Sequence, residues 1–359
     1  MKKIIVEQHH GIGDLIHMLP FLKALRTKFP DAQIDMMLGS KQQKELIENT
    51  NLVDQIYFLD LVKMSKRELL AFILKIRRQK YDIGFVAPST TNWKGRFLLH
   101  LVGCKQKVFF GEENKRNSFW NEYIVKKDRT RHVIERNLDL LRSIEDGLEI
   151  QYFNILSPDV SSVEALLGYD RDREKTVVCG IGTGDTFIFR DGKKYSENVK
   201  KWDMKNWLQL INALSIDHKV ILLGGGAEKS DFEDHIRDYL SNQENVVDLI
   251  GKTGMMESAA IIKVSDLLIA GDTGLLHIAD SMERNTIGIF GPSSPYLVGP
   301  ISSHRHNIFV GLDCQFCMDT EVLWNCDKRR CLDGITVEMI RDQAFEILES
   351  SRLGRRYEE

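Results

Sequence analysis

Short apolar runs alternate with amphipathic stretches from the first residues onward. Lys3 to Val6 reads as a strand, and Leu15, Met18, Leu19, Leu22, Leu25 and Phe29 then recur at helical spacing. Pro20 falls inside that segment, which predicts a kink or a late helix start. Pro30-Asp31 closes it, and Gln33–Leu38 forms a second strand. Further strands fit Gln55–Phe58, Ile83–Val86 and Lys107–Phe110, with helical stretches such as Lys66–Arg77 between them. Gly111 to Arg131 is polar and irregular and reads as one long loop. A helical pattern from Val133 to Ile144 leads to Gly147–Asp159, the expected interdomain boundary. The rhythm restarts at Thr176, with strands at Val177–Ile181, Val220–Leu223, Val246–Ile250, Leu267–Ala270 and Thr286–Phe290. Apolar runs this short suit parallel strands covered on both faces, so the pattern predicts an α/β chain with two doubly wound sheets.

Composition narrows this picture. With 359 residues and 43% hydrophobic content the chain can bury two domain cores. A formal net charge of −3 gives no reason to expect nucleic-acid binding. No stretch of 18 uninterrupted apolar residues exists, so no membrane span is expected. Met1-Lys2-Lys3 is followed only by Ile4-Ile5-Val6 before Glu7, too short for a secretory signal. A cytoplasmic location is therefore expected, where disulfides are a poor explanation for six cysteines.

The candidate chemistry sits where strands end. Gly11-Ile12-Gly13-Asp14 follows the first strand, but Ile16 occupies the third glycine position of a dinucleotide fingerprint. A carboxylate there, Asp14, suits either a general base facing the crevice or a cap for the next helix. Gly182-Thr183-Gly184 and Gly224-Gly225-Gly226 end two later strands. Gly251-Lys252-Thr253 does not complete a P-loop, because Val246 stands where that motif needs glycine. Gly271-Asp272-Thr273-Gly274 turns from a buried strand into a helix beginning near Leu275. Its free N–H groups and positive dipole end favour a phosphate, while Asp272 or Thr273 would equally serve as a plain cap. Cys314, Cys317, Cys326 and Cys331 fall within 18 positions. Such clustering suits a structural zinc or iron held by four thiolates, or a loop of buried free thiols.

Three motifs together resemble glycosyltransferase family 9, the ADP-heptose:lipopolysaccharide heptosyltransferases. They are Gly11-Ile12-Gly13-Asp14-Leu15-Ile16-His17-Met18-Leu19-Pro20, Lys200-Lys201-Trp202-Asp203-Met204-Lys205-Asn206-Trp207, and Asp272-Thr273-Gly274-Leu275-Leu276-His277 with Gly291-Pro292-Ser293 downstream. Asp203 stands where the family pattern has proline. The resemblance implies a GT-B fold, two Rossmann-like domains facing across a cleft. Residues 1–160 would bind the acceptor, 161–335 the nucleotide-sugar donor, and a C-terminal helix within 336–359 would cross back to the first domain. It implies inverting transfer from an ADP-sugar without a catalytic metal or other cofactor. Asp14 would be the base, and Lys200, or its neighbour Lys201, would stabilise the departing diphosphate. Gly13, Thr183, Gly224, Asp272, Thr273, Gly274 and His277 would line the donor site, with Asp272 orienting the loop or capping its helix. The four cysteines match a finger that holds iron in some related heptosyltransferases. The acceptor would be a lipopolysaccharide inner core or another surface glycan, met at the inner membrane surface. Its phosphates would face Lys94, Arg96, Lys115 or Arg116, unless these are solvated surface. Two other readings stay open: a nucleotide-sugar epimerase of related architecture, and a metal-containing scaffold without activity.

Overall fold

The computed structural model describes residues 1–58, 64–87, 92–161, 163, 175–182, 187–190, 193–196, 199–225, 244–318, 326 and 329–355. They fall into two compact units, Met1–Ser157 and Pro158–Glu359.

The first unit runs β1 (Lys3–Gln8), α1 (Ile12–Lys28), β2 (Gln33–Leu38), α2 (Lys41–Glu48), β3 (Gln55–Phe58), α3 (Lys66–Arg77), β4 (Ile83–Val86), α4 (Asn92–Leu101), β5 (Gln106–Gly111), β6 (Lys115–Asn117), β7 (Glu122–Lys126) and α5 (Val133–Arg142). Its seven strands lie in the order β3-β2-β1-β4-β5-β7-β6, all parallel to their neighbours except β6 on β7. Ile4, Ile5 and Val6 are fully buried, as a strand covered on both faces requires. Pro20 neither delays nor ends α1, which begins at Ile12 and continues to Lys28. An interior proline removes one N–H and crowds the carbonyl four residues back, and the buried row Leu15, Met18, Leu22 and Leu25 holds the helix on the sheet in spite of it.

The segment 111–131 is not one loop. It carries the β6–β7 hairpin, whose second strand extends the sheet beside β5 with Lys107 opposite Glu122. Glu122 is one of the polar residues of this stretch, yet its side chain is completely buried. Arg96 grips it through Nε and Nη2 at 2.7 and 2.8 Å, and His100 Nε2 lies 2.6 Å away. Burial alone would raise the Glu122 carboxyl; these partners outweigh it and hold the group below its ordinary range.

The second unit runs β8 (Thr176–Gly180), β9 (Phe187–Arg190), β10 (Lys193–Ser196), α6 (Met204–Leu214), β11 (Lys219–Leu223), β12 (Val246–Asp248), α7 (Met255–Val264), β13 (Leu267–Gly271), α8 (Gly274–Ser281), β14 (Thr286–Ile289), α9 (Pro295–Val298), β15 (Arg305–Ile308), α10 (Arg330–Asp333) and α11 (Val337–Arg355). Six strands form a parallel sheet in the order β12-β11-β8-β13-β14-β15, and β9 pairs with β10 antiparallel. The edge strand β15 has the polar sequence Arg305-His306-Asn307-Ile308 and gives no apolar signal. In the C-terminal helix α11, Ile340, Ala344, Ile347 and Leu348 belong to the same buried cluster as Trp202, Trp207 and Leu210. That face of the helix is thus spent in the core of the second unit.

Candidate active site

Each large sheet reverses its strand order once, between β1 and β4 in the first unit and between β8 and β13 in the second. In open parallel sheets, ligands bind beyond the carboxyl ends of the strands at such reversals. Asp14 follows β1, and Asp272 and Thr273 follow β13, so the topology puts both conspicuous motifs at the two expected places.

In the first unit Asp14 is the third residue of α1, and its Oδ2 accepts the Gly11 N–H at 3.2 Å. The carboxylate therefore caps its own helix and remains half-buried at the strand end. Around it stands a group that sequence reasoning passed over. Glu7, the penultimate residue of β1, is fully buried and hydrogen-bonded to His9 Nδ1. The His9 and His10 rings lie 4.4 Å apart. Burial, followed by the charge of His9, lowers the pKa of His10, while Asp14 and Glu7 act in the opposite sense. The signal was available: a carboxylate within an apolar strand, two residues before a histidine, needs a local partner.

Gly39 fixes the height of this loop. A Cβ at Gly39 would collide with the His9 carbonyl oxygen and stand 3.1 Å from its carbon. Gly39→Val is accordingly expected to displace His9 and its neighbours, lowering both turnover and thermal stability. Side-by-side melting and rate measurements check this, and a variant with wild-type values for both would show that the loop tolerates the shift.

In the second unit the strand β13 ends at Gly271 and α8 starts at Gly274. Neither Asp272 nor Thr273 caps that helix: Thr273 is the N-cap residue and makes no side-chain capping bond. Asp272 is turned away to two cations or potential cations. Its Oδ2 accepts Lys200 Nζ at 2.6 Å and its Oδ1 lies 3.1 Å from His277 Nε2. The Asp272 side chain is 8% exposed and that of Lys200 22%. Burial would raise the Asp272 carboxyl, but the Lys200 ammonium and the His277 hydrogen bond dominate and hold it far below the usual carboxylate range. Among the described residues Thr273 Oγ1 is buried without a hydrogen-bond partner, and so is Ser293 Oγ beyond the end of β14. Burying a hydroxyl unpaired costs about 1–3 kcal/mol, a cost that a ligand oxygen at either position removes. Together with the uncapped start of α8, these atoms make a site suited to an anion.

Other residues hold this arrangement in place. Gly180 allows the start of α8 to lie close on β8, since a Cβ there would stand 3.0 Å from Ala270 Cβ and 3.2 Å from Leu275 Cδ1. Trp202, 2% exposed, is edge-on to Trp207 at 5.3 Å and donates from Nε1 to the Ile335 carbonyl at 3.0 Å. That pair anchors the loop that delivers Lys200. Asp203 keeps φ at −59°, the value a proline would impose, and its side chain caps α6 by accepting the Lys205 N–H at 2.8 Å. The exchange for proline thus leaves the local geometry intact.

The remaining expected site residues are placed less tightly. Gly224 follows β11, and its carbonyl accepts the Gly251 N–H at 2.9 Å. Gly13 lies in the first turn of α1, Lys201 is half-buried beside Lys200, and Thr183 lies outside the described residues.

Comparison with known proteins follows from this geometry. Residues 69–326 match the family model for glycosyltransferase family 9 (heptosyltransferase). The chain belongs to glycosyltransferase family 9. Lipooligosaccharide heptosyltransferase 2 of Campylobacter jejuni is 22% identical over 360 residues, spanning 98% of this chain and 100% of its own. Lipopolysaccharide heptosyltransferase 1 of Salmonella typhimurium is 28% identical over 318 residues, 83% of this chain and 90% of that one. Among solved structures, the E. coli ADP-heptose LPS heptosyltransferase II gives a TM-score of 0.73 at 15% identity, covering 98% of this chain and 100% of that chain. The iron-containing dodecameric glycosyltransferase TibC of E. coli gives 0.57 at 13% identity, covering 97% of this chain and 76% of that chain. These structures share the fold, so this family 9 glycosyltransferase has the GT-B architecture.

The cysteines of this glycosyltransferase form no assembled metal site among the described residues. Cys314, Cys317, Cys326 and Cys331 are free thiols, and no trio of ligating side chains gathers at metal-binding spacing among the described residues. Burial pushes the Cys317 and Cys331 thiols up, and so do the neighbouring sulfurs, Cys326 and Cys314 for Cys317 and Cys317 and Cys326 for Cys331, so these sulfurs share one neighbourhood. The segment is tied instead to the end of β14. Gln315 Nε2 donates to the Phe290 carbonyl at 3.0 Å and the Met318 N–H to the Pro292 carbonyl at 3.0 Å.

Proposed function

We infer that this glycosyltransferase moves a heptose from an ADP-sugar onto a hydroxyl of a lipopolysaccharide inner core or related surface glycan, inverting the anomeric carbon. The observation that carries the reading is the Lys200–Asp272–His277 cluster at the uncapped start of α8. In a family 9 chain whose curated relatives are named heptosyltransferases, it is suited to a sugar diphosphate.

In this mechanism Asp14 takes the proton of the acceptor hydroxyl as its oxygen attacks the anomeric carbon. The bond from that carbon to the diphosphate breaks, and its electron pair leaves with the phosphate oxygen. Negative charge then grows on the leaving group, where the Lys200 ammonium, the first N–H groups of α8 and the Thr273 hydroxyl receive it. Asp272 faces Lys200 and His277, so its own charge is spent on orienting them and repels the diphosphate less. The first unit then serves the acceptor and the second the donor.

The test is turnover with a panel of ADP-, GDP- and UDP-sugars, with and without an inner-core oligosaccharide. ADP-heptose is expected to be consumed only when acceptor is present, and NMR of the product is expected to show inverted anomeric configuration. Release of a nucleotide or an epimerised sugar without acceptor would instead favour the epimerase reading.

A further inference from the structure

The carboxyl end of β1 holds a carboxylate–histidine pair that takes no part in the proton transfer to Asp14. Glu7 lies in a central strand, opposite Met37 of β2 and Val86 of β4, and its side chain has no solvent contact. Its Oε1 meets Nδ1 of His9. With the carboxylate ionised, that contact assigns the ring hydrogen to Nδ1 and leaves Nε2 as the nitrogen with an open lone pair. His9 Nε2 makes no hydrogen bond among the described residues, and 23% of the side chain is exposed. The acceptor edge of the ring therefore faces outward from the strand end.

The surrounding backbone is braced from two directions. Gln43, fully buried in the first turn of α2, donates from Nε2 to the His10 carbonyl. Its Oε1 accepts the Gly39 and Ser40 N–H groups at 2.9 and 3.1 Å, which ties the ends of β1 and β2 together. Gln8 Oε1 accepts the His10 N–H at 2.9 Å. The His10 ring lies over His9, tilted by 31°. A side chain supported this closely can hold one atom of a ligand in a fixed place.

The chemistry of that atom selects its ligand. Asp14, Glu7, His9 and Lys127 all act on the charge of His10, so these side chains share one neighbourhood. An acceptor oxygen that gives its proton to Asp14 lies in the same neighbourhood, and a sugar ring carries further hydroxyls on the adjacent carbons. One carboxylate contact fixes a single oxygen and leaves the ring free to turn; a second contact fixes which oxygen faces the anomeric carbon. A lone pair on an uncharged imidazole suits an O–H donor, whereas it offers a phosphate or carboxylate no hydrogen.

We propose that His9 Nε2 accepts a hydrogen bond from a second hydroxyl of the acceptor sugar, on the carbon next to the one that reacts, and that Glu7 is the positioning residue that holds Nε2 toward it. The pair then selects which hydroxyl of the acceptor is glycosylated. This inference rests on the transferase reading above and adds to it a contact for the acceptor.

Transfer kinetics with an inner-core oligosaccharide test the proposal, using His9→Asn and Glu7→Gln. The asparagine amide can still donate to Glu7, so the buried carboxylate keeps a partner while the outer nitrogen is gone. His9→Asn is expected to raise KM for the acceptor about tenfold, the worth of one hydrogen bond, and to lower kcat by less. KM for the ADP-sugar should stay at the wild-type value. In Glu7→Gln the amide can present a hydrogen to Nδ1 and move the ring hydrogen to Nε2, so acceptor KM should rise in the same way with the fold intact by circular dichroism. An acceptor lacking the neighbouring hydroxyl should lose the same factor against wild type and nothing further against His9→Asn. Unchanged acceptor KM in both variants, or a deoxy penalty that persists in full in His9→Asn, would overturn the proposal. So would a hundredfold loss in kcat at constant acceptor KM, which marks a base, or a parallel rise of both KM values with a lower melting temperature, which marks a structural role. These outcomes need a wild type that transfers sugar; a wild type that transfers none to any acceptor refutes the transferase reading itself and this inference with it.

Discussion

Asp14→Asn is expected to lower the turnover number by about 10²- to 10⁴-fold, the range attributable to a positioned general base. Affinity for the ADP-sugar, measured by calorimetry without acceptor, should stay near wild type, because the donor groups Lys200, Asp272 and Thr273 belong to the second unit. The choice of asparagine matters. Asp14 has two jobs in the structure, since it accepts the Gly11 N–H at the start of α1 as well as facing the strand-end loop. An asparagine side-chain oxygen can keep that hydrogen bond, whereas Asp14→Ala loses it together with about 1 kcal/mol of helix-cap stability. A rate loss shared by both variants, with a lower melting temperature only in the alanine variant, separates chemistry from capping. Wild-type turnover by Asp14→Asn would remove Asp14 as the base and turn attention to His9 in the same strand-end loop, which the buried Glu7 orients.

Much of the architecture was legible because parallel strands are buried on both faces. The runs Gln33–Leu38, Gln55–Phe58 and Ile83–Val86 were bounded correctly from their apolar content alone. What escaped notice shares a physical cause: the deciding partner lies far away in the chain. The strand β7 begins with Glu122, polar by type, and the Arg96 and His100 clamp from α4, with Asn117 Nδ2 donating at 3.3 Å, makes its burial tolerable. The edge strand β15 has one covered neighbour and no apolar pattern to betray it. The same holds for the site. Motif spacing put Lys200 and Asp272 in separate stretches, with a carboxylate near a diphosphate looking repulsive. The ion pair between them, across 72 positions, gives Asp272 a reason to be there. For the cysteines the spacing left a metal or free thiols open, and among the described residues no trio of ligating side chains gathers at metal-binding spacing.

Replacing Lys200 by methionine should produce two effects that can be separated. Turnover is expected to fall by about 10²- to 10³-fold, the cost of removing one preorganised group from a developing anion. Stability should fall as well, because Asp272 is left nearly buried with only His277 as its partner. Breaking a buried pair costs about 3–5 kcal/mol, and the 22% exposure of Lys200 puts this pair toward the lower end. The pH dependence follows from the direction of the Asp272 shift. In the wild type its folded pKa lies below the unfolded value of about 3.9, so its contribution is complete above that pH and is lost on further acidification. Without the Lys200 ammonium, burial regains weight and the carboxyl moves upward. The stability deficit of Lys200→Met should then be largest near neutrality and shrink as the pH falls toward about 4. Adding Asp272→Asn removes the stranded charge, so the double variant should recover melting temperature at pH 7 but not turnover. Equal recovery of both would mean that Lys200 acts on the reaction only through Asp272. A deficit independent of pH would mean that the pair is not what holds this carboxylate ionised.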